Sequence, residues 1–98
     1  MSTFRSEARV PTSRSARYLG QLCKHFAHKI PASYSDARGK IEFPSGVCEL
    51  EASNNLLVLR AAAADAAALS QVEDVVARHL ERFAFREQAE FRWTRGAA

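Results

Sequence analysis

Polar and apolar residues alternate near the start of the chain. Phe4, Ser6, Ala8 and Val10 fall on one side of an extended segment, and Arg5, Glu7 and Arg9 fall on the other. A period of two marks a strand with one buried face. Pro11 ends it, since proline has no amide hydrogen to continue a ladder, and Thr12-Ser13 offers an N-cap for a helix. The period then lengthens. From about Arg14 to Lys29, the residues Ala16, Leu19, Cys23, Phe26 and Ile30 recur at helical spacing. Leu22 and Ala27 widen that stripe to the arc of a helix lying on a sheet, and Pro31 terminates it.

Lys40-Ile41-Glu42-Phe43 alternates again, and Pro44-Ser45-Gly46 supplies a tight turn. The next strand, Val47 to Ala52, puts Cys48, Leu50 and Ala52 on one face and Glu49 and Glu51 on the other. Asn54-Asn55 reads as a hairpin turn into a third strand, Leu56 to Ala61, so these strands form an antiparallel meander. Asp65 then caps a second helix expected to run to about Phe85, with Leu69, Val72, Val76, Leu80 and Phe83 as its buried stripe. Glu90 to Thr94 forms a closing strand with Phe91 and Trp93 on one face, and Gly96-Ala97-Ala98 is a frayed tail. The expected fold is α+β, a two-layer sandwich with two helices on one face of a mostly antiparallel sheet, in the order β-α-β-β-β-α-β.

Composition bounds this picture without changing it. The 98 residues suffice for one core and one domain, spanning 1–98 with an ordered core over about 4–95. Hydrophobic residues make up 47% and charged residues 26%, as in ordinary globular domains. A catalytic barrel of about 250 residues is excluded. No apolar run reaches the roughly 18 residues of a membrane span. Residues 1–7 lack the apolar stretch of a secretory signal, so the expected compartment is the cytoplasm, with Cys23 and Cys48 as reduced thiols.

Three strings then stand out: Leu22-Cys23-Lys24-His25-Phe26-Ala27-His28-Lys29, Gly46-Val47-Cys48-Glu49-Leu50-Glu51-Ala52, and the stretch from Glu73 to Glu87 through Val75-Val76-Ala77-Arg78-His79-Leu80. Together they resemble the bacterial domain-of-unknown-function family 2218, over about Ala8 to Trp93. The resemblance implies a small, stand-alone bacterial protein of no established activity or ligand. It also implies a setting near iron- or siderophore-uptake genes for some members, and an aldolase label for others. It carries over no catalytic residue. The residues do not fit the aldolase label. A Schiff-base lysine needs an apolar pocket, whereas Lys24 and Lys29 fall on the polar side or edge of the first helix and Lys40 alternates outward.

Candidate chemistry rests on few side chains. At roughly 100° per residue, Cys23 lies in the middle of the first helix's apolar stripe. His28 lies nearly opposite, beside Arg17, Gln21 and Lys24, and His25 sits at the edge near Tyr18 and Lys29. His79 projects into the apolar arc of the second helix, where its ring needs a partner or a use. Cys23, Cys48 and His79 all point toward the interface between helices and sheet, so they are the candidate ligand or metal residues. Arg17, Lys24, His28 and Lys29 form a candidate basic face, and the net charge is +3. Asp74, one turn before Arg78, neutralises part of the second helix's charge.

The leading expectation is a non-catalytic binding or accessory protein, tied to iron or siderophore handling by the family resemblance alone. The rival is a small metal- or thiol-dependent enzyme using His79 with Cys48. The third is a binder of nucleic acid or an acidic partner through the basic face. No cofactor is named by the sequence. The mixed charges on the sheet's polar side, with Val47 and Leu56 or Val58 as apolar spots, suit pairing with a second copy in a homodimer.

Overall fold

The computed structural model describes residues 3–83 and 92–96. Its elements are β1 (Phe4–Pro11), α1 (Ser15–Phe26), β2 (Ala32–Tyr34), β3 (Arg38–Phe43), β4 (Gly46–Ser53), β5 (Leu56–Ala63), α2 (Ala66–Phe83) and β6 (Trp93–Gly96). The strands form one six-stranded sheet in the order β2-β3-β4-β5-β1-β6, and every neighbouring pair is antiparallel. β3, β4 and β5 are the expected meander. β1 inserts between β5 and β6 and pairs with β5 along all eight residues.

Two connections cross the sheet. α1 carries the chain from β1 to the far edge at β2, and α2 carries it from β5 past β1 to β6. Each joins strands of the same direction, and the right-handed rule for such crossovers places both helices on one side. The helices meet there through the His79 ring, whose centroid lies 4.7 Å from that of Phe26. The core lies between the layers. Leu19 and Leu22 from α1, Val72, Val76 and Leu80 from α2, and Val10, Ile41, Leu57 and Leu59 from the sheet are fully buried. No described helix is long and apolar enough to cross a membrane.

Local chemistry sets the joints. The two-residue turn Pro44-Ser45 closes β3 onto β4, and Asn54-Asn55 closes β4 onto β5, with Asn55 in the left-handed region at φ 59°. Asparagine tolerates that conformation better than most residues. Thr12 Oγ1 accepts the Arg14 amide at 3.1 Å, ahead of the helix rather than as its cap, and the Arg14 cap position has no side-chain bond. Asp65 is the expected cap of α2, its Oδ1 accepting the Ala68 amide at 2.7 Å.

The helix boundaries depart from expectation. α1 ends at Phe26, so Ile30 lies beyond it, and Ala16 and Ala27 are exposed rather than buried. Tyr18 and Ser15 take the buried positions instead. A tyrosine ring buries far more apolar area than an alanine methyl, so the helix turns its aromatic inward. β2 was not anticipated between Pro31 and Lys40, and β6 reaches Gly96 where a frayed tail was expected. The expectations for the Phe83 side chain and for Phe85, Glu90 and Phe91 fall outside the described residues.

Gly39 sets how closely α1 approaches the sheet. A Cβ at this position would lie 2.6 Å from Cys23 Sγ and 3.3 Å from Leu19 Cδ2. Gly39→Ala therefore forces the helix outward and is expected to destabilise the fold by about 1–3 kcal/mol, the usual cost of overpacking. In thermal unfolding each kcal/mol lowers the midpoint by about 4–8 °C for a domain of this size. Adding Cys23→Ala removes the colliding sulfur, so the double variant should recover part of the loss. A double variant no more stable than the sum of its single changes would disprove the contact.

Candidate functional site

The face of the sheet on which, among the described residues, no helix packs is built by the outward residues of each strand. Cross-strand register sets them in rows. One row runs Thr94, Glu7, Arg60, Glu49, Lys40, Ser33 across all six strands. Beside it runs Gly96, Arg5, Ala62, Val47, Glu42, and on the other side Arg9, Val58, Glu51, Arg38. Charges of opposite sign are thus brought opposite one another, as cross-strand pairing favours.

Within these rows Arg60 is a hub. Its Nε donates to Glu7 Oε1 at 3.1 Å and its Nη1 to Glu51 Oε1 at 2.9 Å, while Arg9 Nε donates to Glu7 Oε2 at 3.2 Å. The result is an alternating chain Arg9–Glu7–Arg60–Glu51. The Arg60 hydrogen bond holds the Glu51 carboxyl below the usual carboxylate range, and Arg60 is raised in turn, chiefly by Glu51. The long side chains of Arg9 and Glu51 flank Val58, which is buried despite having no helix above it.

Next to the charged row the surface sinks into a hollow of about 550 Å³, within the range of small-molecule sites. Ala62 and Val47 form its floor, Arg5 and Gly96 stand on one side, and Lys40 and Glu49 stand on the other. The hollow exists because three positions along one row of the sheet are small: Gly96, Ala62 and Val47, with only Arg5 among them reaching out.

The residues singled out from sequence fall elsewhere. Cys23 and Cys48 are free and fully buried. Burial pushes the Cys23 thiol up to about 11, partly opposed by the Lys40 backbone amide. Burial pushes Cys48 up to about 12, with the neighbouring Cys23 adding to the effect. His79 is half-buried and satisfied, its Nδ1 donating to the Val75 carbonyl at 2.7 Å. Its ring packs on Phe26 and on His25, at centroid distances of 4.7 and 4.8 Å. Among the described residues no group of three or more His, Cys, Asp or Glu side chains is arranged to hold a metal ion. Arg17, Lys24, His28 and Lys29 are all exposed, and Asp74 takes Arg78 in an ion pair of 3.2 Å.

The contact between His25 and His79 was not foreseen. It joins the edges of two helices, and neither helical wheel alone shows it. Desolvation, then the neighbouring His79, His28, Arg82 and Lys29, lowers the His25 pKa below the usual imidazole value. Arg60 was likewise missed. It stands in the strand read as Leu56 to Ala61, and only the strand order reveals that two carboxylates flank it.

Comparison with known proteins places the chain in a broader setting. The family described as "Uncharacterized protein conserved in bacteria (DUF2218)" matches residues 7–94. No curated protein matches the chain. Among solved structures it is similar to the NMR structure of PA4090 from Pseudomonas aeruginosa, at 37% identity and a TM-score of 0.80, over 93% of this chain and 95% of that one.

The thiols furnish a direct test. Both are neutral in the fold well above pH 9.0, whereas unfolded thiols ionise near that value. A pKa raised on folding gives stability that is whole below the unfolded value and is lost as pH rises through the folded one. Unfolding midpoints should therefore fall from about pH 9 toward pH 11, and Cys23→Ala with Cys48→Ala should flatten that slope. At pH 8 a thiol-reactive dye should label neither cysteine until denaturant is added; rapid labelling of the native chain would contradict the burial.

Proposed function

We propose that this chain, which belongs to the uncharacterised bacterial family DUF2218, is a non-catalytic binding protein that takes its ligand on the helix-free face of the sheet. The observation that carries this reading is the hollow over Ala62 and Val47, with charged side chains at both rims. Small-molecule sites are concave, largely apolar and edged by a few polar groups, and this surface has that form. We place the protein in the bacterial cytoplasm, where two free thiols persist unoxidised.

The enzyme reading draws less support. A nucleophilic cysteine needs its thiolate, and thiols with pKa values of about 11 and 12 are protonated at neutral pH. His79 has committed one ring nitrogen to the backbone of its own helix. A role in iron handling would then run through an iron chelate resting on the open face rather than through the bare ion. Nucleic-acid binding through Arg17, Lys24, His28 and Lys29 draws less support as well. Single-strand binders stack bases on exposed rings, and the aromatic residues of α1, Tyr18 and Phe26, are buried.

Amide spectra of the full labelled chain, titrated with small organic acids, amines and sugars, test the proposal. Shifts should gather at Arg5, Val47, Ala62 and Thr94. Shifts centred on His79 and Cys48 would favour the enzyme reading and defeat this one. A dimer in light scattering that buries the same amides would also defeat it, by assigning the face to a second copy.

A further inference from the structure

We infer that the hollow selects an organic anion with an apolar body, its anionic group seated on Arg5; this rests on the binding reading above. The cations of the face differ in how they are engaged. Arg9 donates to Glu7, and Arg60 is divided between Glu7 and Glu51. Arg78 and Arg95, on the other side of the molecule, are held by Asp74 and Glu73. Lys40 has Glu49 directly across the strand pair. Among the described residues Arg5 has no such counterpart. Its cross-strand neighbours are Ala62 on β5 and Gly96 on β6, and neither has a side chain that can accept a hydrogen bond. The nearest carboxylate on its own strand, Glu7, has both oxygens engaged by Arg9 and Arg60. Arg5 thus presents an exposed guanidinium fork with its donors unspent, a group suited to planar, bidentate recognition of an anion.

The floor points the same way. Alanine and glycine are poor strand formers, and a strand interior gains from branched side chains. Yet β5 carries Ala61-Ala62-Ala63 and β6 carries Gly96 beside Arg5. Nothing lies within 4 Å of where a Gly96 Cβ would stand, so packing does not demand glycine there. What these small residues do is keep the hollow open and leave the half-buried Val47 exposed to it. From β1 to β4 is two strand spacings, about 10 Å in all, which is room for one or two rings lying flat on Ala62 and Val47. An inorganic anion would use Arg5 and leave that apolar floor idle. A neutral apolar molecule would use the floor and leave Arg5 idle. An organic anion uses both.

Two fluorescent probes with matched rings separate these cases. Anilinonaphthalene sulfonate carries two aromatic units and a sulfonate, and phenylnaphthylamine carries the same rings without the charge. The full-length chain should bind the sulfonate about tenfold more tightly than the neutral probe, as expected for a hydrogen-bonded charge. Arg5→Gln should erase most of that difference while leaving the neutral probe unchanged. Arg38→Gln, which removes an equal charge from the same face outside the hollow and frees no carboxylate beside Arg5, should leave both affinities as they are. Ala62→Leu should weaken both probes by filling the floor. All variants are compared only where cooperative thermal unfolding shows a native fold, and Arg5 and Arg38 are exposed positions where substitution is mild. If Ala62→Leu weakens both probes but Arg5→Gln changes neither, the binding face stands and the anion class is overturned. If Arg38→Gln acts as strongly as Arg5→Gln, general charge explains the result and the Arg5 seat is overturned. If Ala62→Leu affects neither probe, the hollow is not the site and both proposals fall.

Discussion

A strand's pleat sends alternate side chains to opposite faces of a sheet, and among the described residues two helices cover one face only. That one-sidedness divides the residues of every strand between two tasks. Inward positions of β1, β4 and β5, such as Val10, Leu50 and Leu59, build the core with the helices. Many outward positions of the central strands carry charge instead, with Val58, Val47 and Ala62 among the apolar exceptions. The division rests on the topology: the two crossovers start from antiparallel strands, β1 and β5, and run in opposite senses along the sheet, so right-handedness returns both on the same side. If one helix lay on the other face, Arg60 and its carboxylates would have to be buried, at a desolvation cost that their pairing would barely offset.

Much of this was legible in advance, because the two periodicities differ so clearly. Alternation over Ser6 to Val10 and over Val47 to Ala52 identifies strands whose burial follows it, although Phe4, expected on the buried side, is exposed at the strand's start. The stripes of Leu19, Cys23, Phe26 and of Leu69, Val72, Val76, Leu80 identify the helix faces. What failed to show was structure too short or too mixed to have a period. β2 has three residues, Ala-Ser-Tyr, and is a strand only because β3 offers it an edge and Tyr34 lies beside Gly20 of α1. The apolar stripe of α1 also takes in Ala16 and Ala27, and the structure turns Tyr18 inward in their place.

The site was legible as a set of residues but not as an arrangement. The mixed charges of Arg5, Glu7, Arg9, Glu49 and Glu51 could be assigned to one face from alternation alone. Which charges cancel depends on strand order, and the insertion of β1 between β5 and β6 is a long-range fact that local pattern does not encode. That insertion brings Glu7 opposite Arg60 and Arg5 opposite Ala62, so it decides at once which arginine is spent and which is not. The candidates that did attract notice, Cys23, Cys48 and His79, were conspicuous by residue type. Their burial and backbone contacts place the cysteines in the core and His79 at the interface between the helices.

The placement of the hollow has a mechanical consequence. β5 carries the alanine run, a stretch of low intrinsic strand preference, yet it is paired along its full length on both sides, to β1 and to β4. Low propensity is tolerated there because two ladders hold the backbone. On the inner side Ala61 and Ala63 are buried against the helix layer, and on the outer side Ala62 opens the floor. A pocket floored on the most fully paired strand cannot adapt by local opening, since opening costs most where pairing is complete. Under the proposed binding role, selection would come from the rim, where Arg5, Lys40 and Glu49 are exposed, and the floor would act as a fixed template for size.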